Sequence, residues 1–129
     1  MKSSELMLDN WIEYEGEYHK IWLIRDGEVI FDNIERYVSE CDPIEISRKI
    51  LKNNGFEEIG RFFRLTIQDN NETWIVKVLP APYGGYFMID AEHSDGETYK
   101  GGIDDMKVVY VHQLQNIMNL LGVPKEIEL

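Results

Sequence analysis

The sequence predicts an α+β fold: an N-terminal β-meander, with closure into an SH3-like barrel as its most compact form, followed by an antiparallel sheet packed by two helices. Three observations predict it. Short runs that mix aromatic and β-branched residues with acids fill the first third of the chain. Two longer apolar-alternating runs flank the polar turn Gln68–Glu72. The uncharged stretch Tyr110–Gly122 repeats apolar residues at three- and four-residue steps.

The meander begins at Trp11–Gly16, "WIEYEG", where aromatic or apolar residues alternate with acids as on a half-buried strand. Trp11, Ile12 and Tyr14 favour strand over the competing helix from Glu5 to Tyr14. Gly16 permits a turn into Glu17–Arg25, "EYHKIWLIR", expected as one second strand. Asp26-Gly27 then signals a hairpin, with Glu28–Phe31 returning. Asp42-Pro43 breaks the pattern and divides residues 1–42, the meander subdomain, from residues 43–129, the α+β subdomain of one compact unit.

A short helix is expected over "ISRKILKNNGF", with Ser47 as N-cap and Gly55 just past its end. Ile50 and Leu51 point inward, and Phe56 tucks the chain back onto the core. Arg61–Ile67 and Thr73–Pro80 form a hairpin across Gln68–Glu72, and Pro80 and Pro82 end it. Gly84–His93 supplies a third strand, and Ser94–Gly96 turns it into Glu97–Gly102. Met106–Tyr110 is a further short strand, running into the last helix. That helix buries Val111, Leu114, Ile117, Met118 and Leu121 and stops at Gly122 and Pro124. Its start has no Ser, Thr, Asp or Asn close by, and strand is expected to pass into helix near Tyr110. The opposite face carries His112, Gln115, Asn116 and Asn119, a neutral polar stripe.

Composition narrows the function classes. A chain of 129 residues with 43% hydrophobic and 12% aromatic content makes an ordered globule that needs no disulfide or metal. Cys41 is the single cysteine, and no Cys/His spacing matches a zinc site. The opening "MKSSELMLDN" lacks the apolar core of a signal peptide, and Val108–Pro124 is too short and amide-rich for hydrocarbon. The expected compartment is the cytoplasm, with no membrane contact.

The net charge of −11 is unevenly spread: −7 over residues 1–42, +1 over 43–79 and −5 over 80–129. Such acidity disfavours nucleic acid as a partner. Its plain meaning is solubility; the sharper one is a surface that occupies a basic site on a partner. The one basic region is Arg48, Lys49 and Lys52 with Arg61 and Arg64. It is a candidate contact for phosphate or an acidic partner, against the simpler reading of a solvated helix face.

Amides can read adenine edges in a major groove, but such a helix needs flanking Lys or Arg, and this one has only Lys107 nearby. The stripe is therefore either internal hydrogen bonding or a protein interface, including self-association. His93 sits among Asp90, Glu92, Asp95 and Glu97. The spacing does not fit an EF-hand loop, and alternation along a strand splits the group, so no metal or cofactor is expected. No nucleophile elbow or phosphate loop is present, and no catalytic residue is assigned.

Three pieces, "SELMLDNWIEYEG", "PIEISRKILKNNGFE" and "YVHQLQNIMNLLG", together resemble an uncharacterised family of small proteins common in gut Bacteroidetes genomes and their prophages. Members show a Leu-x-x-x-Asn-Trp-Val opening and a Pro-Ile-x-Leu-Ser/Thr helix entry ending in Gly-Phe. They close on a Tyr-Val-His-Gln-Leu-Gln-Asn-Leu helix. The pieces cover about a third of the chain. Asp9 replaces a usual glycine, and Ile117-Met118 replaces a usual Leu-Tyr. The resemblance implies a phage-linked or mobile-element accessory protein, with no activity attached, and draws attention to His112, Gln113, Gln115 and Asn116. From the residues, a non-enzymatic protein-binding module is expected. Nucleic-acid association through the basic region and a small enzyme of unknown class are the alternatives.

Overall fold

The computed structural model describes all 129 residues. It is an α+β arrangement with three antiparallel sheets and two helices. A 3-10 turn over Ser3–Glu5 precedes β1 (Trp11–Tyr14) and β2 (Glu17–Lys20), which form a two-stranded sheet. β3 (Leu23–Arg25), β4 (Glu28–Phe31) and β5 (Ile34–Tyr37) form a separate three-stranded sheet. After α1 (Arg48–Asn53) comes the main sheet: β6 (Glu57–Ile59), β7 (Phe62–Asp69), β8 (Glu72–Pro80), β9 (Phe87–Asp95) and β10 (Thr98–Val108). Its spatial order is β10-β9-β8-β7-β6, and α2 (Val111–Leu120) follows it in the chain.

The expected single strand Glu17–Arg25 is instead two. At Ile21 the chain leaves β1 and pairs with Asp9 and Asn10, the Asp9 N–H donating to the Ile21 carbonyl and the Ile21 N–H to that of Asn10, both at 2.9 Å. Trp22 then donates to the Ile30 carbonyl at 2.8 Å and joins the second sheet. This switch keeps the two small sheets apart, so the meander stays open and no SH3-like barrel closes. The expected strands Glu97–Gly102 and Met106–Tyr110 merge into β10, which continues past a bulge at Asp104-Asp105. The Asp90 carboxylate accepts from the Asp105 N–H at 2.8 Å and holds that bulge.

Local signals act as their chemistry dictates. Ser47 Oγ accepts from the Ile50 N–H at 3.2 Å and starts α1. Gly55 ends it at φ +85°, letting the Phe56 N–H reach back to the Leu51 carbonyl. At the start of α2, Gln113 does what no Ser or Asp is there to do. Its side-chain oxygen accepts from the N–H groups of Val109 (2.8 Å) and Tyr110 (3.0 Å), half of a capping box.

There are two apolar clusters. Leu6, Ile12, Ile21, Val29, Phe31, Val38 and Cys41 pack inside the meander. A larger cluster joins α1, α2 and the inner face of the main sheet, including Leu51, Trp74, Val76, Val78, Ile89 and Leu114. Trp11 bridges the two parts: it packs against the larger cluster, and its indole N–H donates to the Ile127 carbonyl at 2.7 Å. The tail is pinned again by Asn54, which donates to the Glu128 carbonyl (2.8 Å) and accepts from its N–H (2.7 Å). No helix is long and apolar enough to cross a membrane.

Candidate functional site

The apolar face of α2 is buried through Val111, Leu114, Ile117 and Met118. Full burial of side chains this size is worth about 1.5–3 kcal/mol each, so these four residues, not the stripe, hold the helix to the sheet. The stripe decides what lies across the helix. Gln115, only 8% exposed, accepts from the Trp11 N–H at 2.9 Å and donates to the Asp9 carbonyl at 3.0 Å. Asn116, half-buried, accepts from the Asn10 side-chain amide at 2.9 Å and donates to the Glu5 carbonyl at 2.9 Å. Asn10 is itself fully buried, and its side-chain oxygen caps the Met7 N–H at 2.7 Å.

An amide is suited to this task because it carries an acceptor and donors without a charge to desolvate. Adjacent in sequence and about 100° apart around α2, the two amides reach separate points of one crossing segment, at main-chain groups that strand pairing leaves free. Those groups are the Glu5 and Asp9 carbonyls and the Trp11 N–H. Gln115 and Asn116 are thus taken up inside the chain, so the stripe does not lie exposed together as an outward contact face. Only Asn119 at its far end is exposed.

His112 is different. It is completely buried, and neither ring nitrogen has a hydrogen-bond partner in the chain. Nε2 lies 3.7 Å from the Glu5 carboxylate, too long for a hydrogen bond, and the ring stacks on Tyr110 with centroids 5.8 Å apart. Burial pushes its pKa below the ordinary histidine value of 6.5, and the nearby Glu5 charge offsets only part of that.

The five basic residues do not make one cationic patch. Arg48 pairs with Glu58 at 2.7 Å and Lys52 lies 3.9 Å from the same carboxylate, while Arg64 lies 3.9 Å from Glu57. Lys49 and Arg61 have no ion pair and line separate hollows. The acidic group around His93 is also dispersed. His93 stacks on Trp74 at 4.5 Å and contacts Glu72 at 3.1 Å, and no three His, Cys, Asp or Glu residues converge as a metal site.

A feature that sequence reasoning missed lies where the N-terminal segment crosses α2. Two adjoining hollows, of about 60 and 330 Å³, have Asp9 and Lys20 in both their walls and together make up this seam groove. One end is walled by Leu8, Asn119 and Lys125, the other by Trp22, Asp32 and Asn33. Trp22 is 74% exposed and Leu8 54% exposed. Lys20 between them is held by Glu128 at 3.1 Å and Glu126 at 3.6 Å. The only sequence signal is Trp22 itself, inside Glu17–Arg25, the stretch expected as one second strand. With His19 and Ile21 both buried, strand alternation points Trp22 outward. No family model, curated protein or solved structure matches the chain.

Proposed function

We propose that this chain is a non-enzymatic binding module of phage or mobile-element origin, acting in the cytoplasm through protein–protein contact at the seam groove. The observation that carries the contact site is the pair Trp22 and Leu8, large apolar side chains left in solvent around a concave, polar-rimmed surface. Large exposed aromatic residues beside a hollow are the commonest anchors of protein interfaces. The amide side chains around α2 and the C-terminal tail serve architecture rather than outside contact. Asn10, Asn54, Gln113, Gln115 and Asn116 all hold main chain. The phage-linked origin rests on the three-piece sequence resemblance.

The test compares wild type with a Trp22→Ala/Leu8→Ala double variant in recovering partners from host extract, followed by titration of each purified pair. Affinity for a groove partner should fall at least about tenfold in the variant. Equal recovery and equal affinity for both proteins would remove the groove as the contact surface.

A further inference from the structure

We infer that the seam groove receives a cationic segment of another protein, an arginine- or lysine-bearing peptide whose charge sits over Trp22 between Asp9 and Asp32. The inference rests on the groove being the contact surface, and it names the chemistry of what binds there.

Three observations carry it. Trp22 presents an indole face to solvent, the best side-chain surface for a guanidinium or ammonium. Asp9 and Asp32 line the same hollow as Trp22 and both are exposed; one Asp32 oxygen is taken by His19 Nδ1 at 2.5 Å, which leaves the other to the groove. The one cation between them, Lys20, is already neutralised by Glu126 and Glu128. Among the lining residues Asp9, Asp32 and Glu126 outweigh Lys20 and Lys125 by one negative charge, and Glu128 outside the lining, paired with Lys20, adds a second. The field behind the groove has the same sign, since residues 1–42 carry −7.

Charge also selects against other occupants. A second copy would bring another −11 to an acidic face, and three of the five cations in its basic region are engaged by Glu57 and Glu58. Nucleic acid is repelled by the same field. An acidic peptide would meet Asp9 and Asp32 directly.

The probe is a fluorescent dodecapeptide carrying four arginines spaced by serine and leucine, with a four-glutamate counterpart. Each is titrated into the full chain at low salt and at about 150 mM salt. The arginine peptide should bind, and Trp22→Ala should weaken it about tenfold. Asp9→Asn with Asp32→Asn should weaken it about fivefold at low salt and less at high salt. Asparagine suits both sites: Asp9 (φ +67°) and Asp32 (φ +47°) hold left-handed backbone that asparagine tolerates, and at position 32 its amide oxygen keeps an acceptor for His19 Nδ1. A control pair, Glu92→Gln with Glu97→Gln, removes the same charge outside the groove and should change nothing.

The inference is overturned if the glutamate peptide binds as well, if Trp22→Ala binds like wild type, or if the control pair weakens binding as much as the aspartate pair. A dimer that Trp22→Ala abolishes would overturn it too, assigning the groove to a second copy. If Trp22→Ala does not fold, the aspartate pair against its control decides alone. Should no arginine peptide bind while Trp22→Ala/Leu8→Ala still loses a host partner, the contact surface stands and only its cationic chemistry fails.

Discussion

Replacing Gln115 with leucine separates an internal clasp from a surface face. Leucine keeps the bulk and the apolar stem but removes the acceptor for the Trp11 N–H and the donor for the Asp9 carbonyl, bonds of 2.9 and 3.0 Å. Each main-chain group left buried without a partner costs about 1–3 kcal/mol. Relief from burying the glutamine amide offsets part of that, and a net loss of about 3 kcal/mol is expected. For a chain of this size that is roughly 12 °C in Tm. It is also a large share of a typical total stability of about 5–15 kcal/mol. The assay is urea unfolding followed by circular dichroism, with hydrogen exchange at the Trp11 amide as the local readout. Exchange there should rise by more than tenfold, while amides in β8 should respond only through the global change. An exposed polar residue changed to leucine alters stability by less than about 0.5 kcal/mol. A result in that range, with Trp11 exchange unaltered, refutes the clasp.

Three further outcomes follow from the same geometry. His112 is held neutral by burial, its pKa depressed below 6.5, so its contribution is fully present above that value and is lost as pH falls toward the depressed one. Wild type should lose stability between pH 7 and 5 faster than His112→Leu, read as urea midpoints at about pH 7.5 and 5.5; parallel midpoints would contradict this. Asn54→Ala removes both bonds to Glu128 and should cost about 2–4 kcal/mol while exposing the C-terminal tail to carboxypeptidase. Gly102→Ala should cost about 1–3 kcal/mol in thermal melts, because its Cβ would lie 2.7 Å from the Ala91 carbonyl oxygen and 2.5 Å from the Tyr99 hydroxyl; Gly101→Ala, in open space, should be near neutral.

How much of this was legible depends on whether a signal and its recipient share a stretch of chain. The β7–β8 hairpin was readable because the strands and Asn70-Asn71 adjoin, and Asn70 takes the left-handed conformation (φ +57°) that asparagine tolerates. The ends of α1 were readable because Ser47 and Gly55 act on neighbouring backbone. β6 was not, since Glu57 and Glu58 are both exposed and only Ile59 hints at alternation. The break between β2 and β3 escaped because Ile21 and Trp22 have ideal strand chemistry. What splits them is Asp9 and Asn10, a dozen residues earlier. The stripe showed its donors and acceptors plainly but not their targets. Three of those targets are main-chain groups of Glu5, Asp9 and Trp11, which carry no side-chain signature and lie more than a hundred positions away.

The three resembling pieces acquire one physical meaning once their contacts are followed. Asn10 and Trp11 of the first meet Asn116 and Gln115 of the third. Ile44 and Ile46 of the second pair with the entry to the same helix, through Val111 N–H to Ile44 carbonyl at 2.8 Å and Ile46 N–H to Val109 carbonyl at 3.0 Å. The pieces are thus parts of a single junction on α2, and the amides of Asn10, Gln115 and Asn116 are spent there. A residue whose hydrogen bonds are filled by its own chain has little left for a partner, and freeing it would first cost the junction. Binding is then expected from residues the junction positions but does not consume. Trp22, Leu8 and Asp9 through its carboxylate meet that description, and Asp32 does so through the one oxygen that His19 does not hold. His112 is the exception, a motif residue buried with both ring nitrogens unpaired. Its Nε2 lies 3.7 Å from the Glu5 carboxylate, so charging this buried ring acts where the N-terminal segment docks on α2.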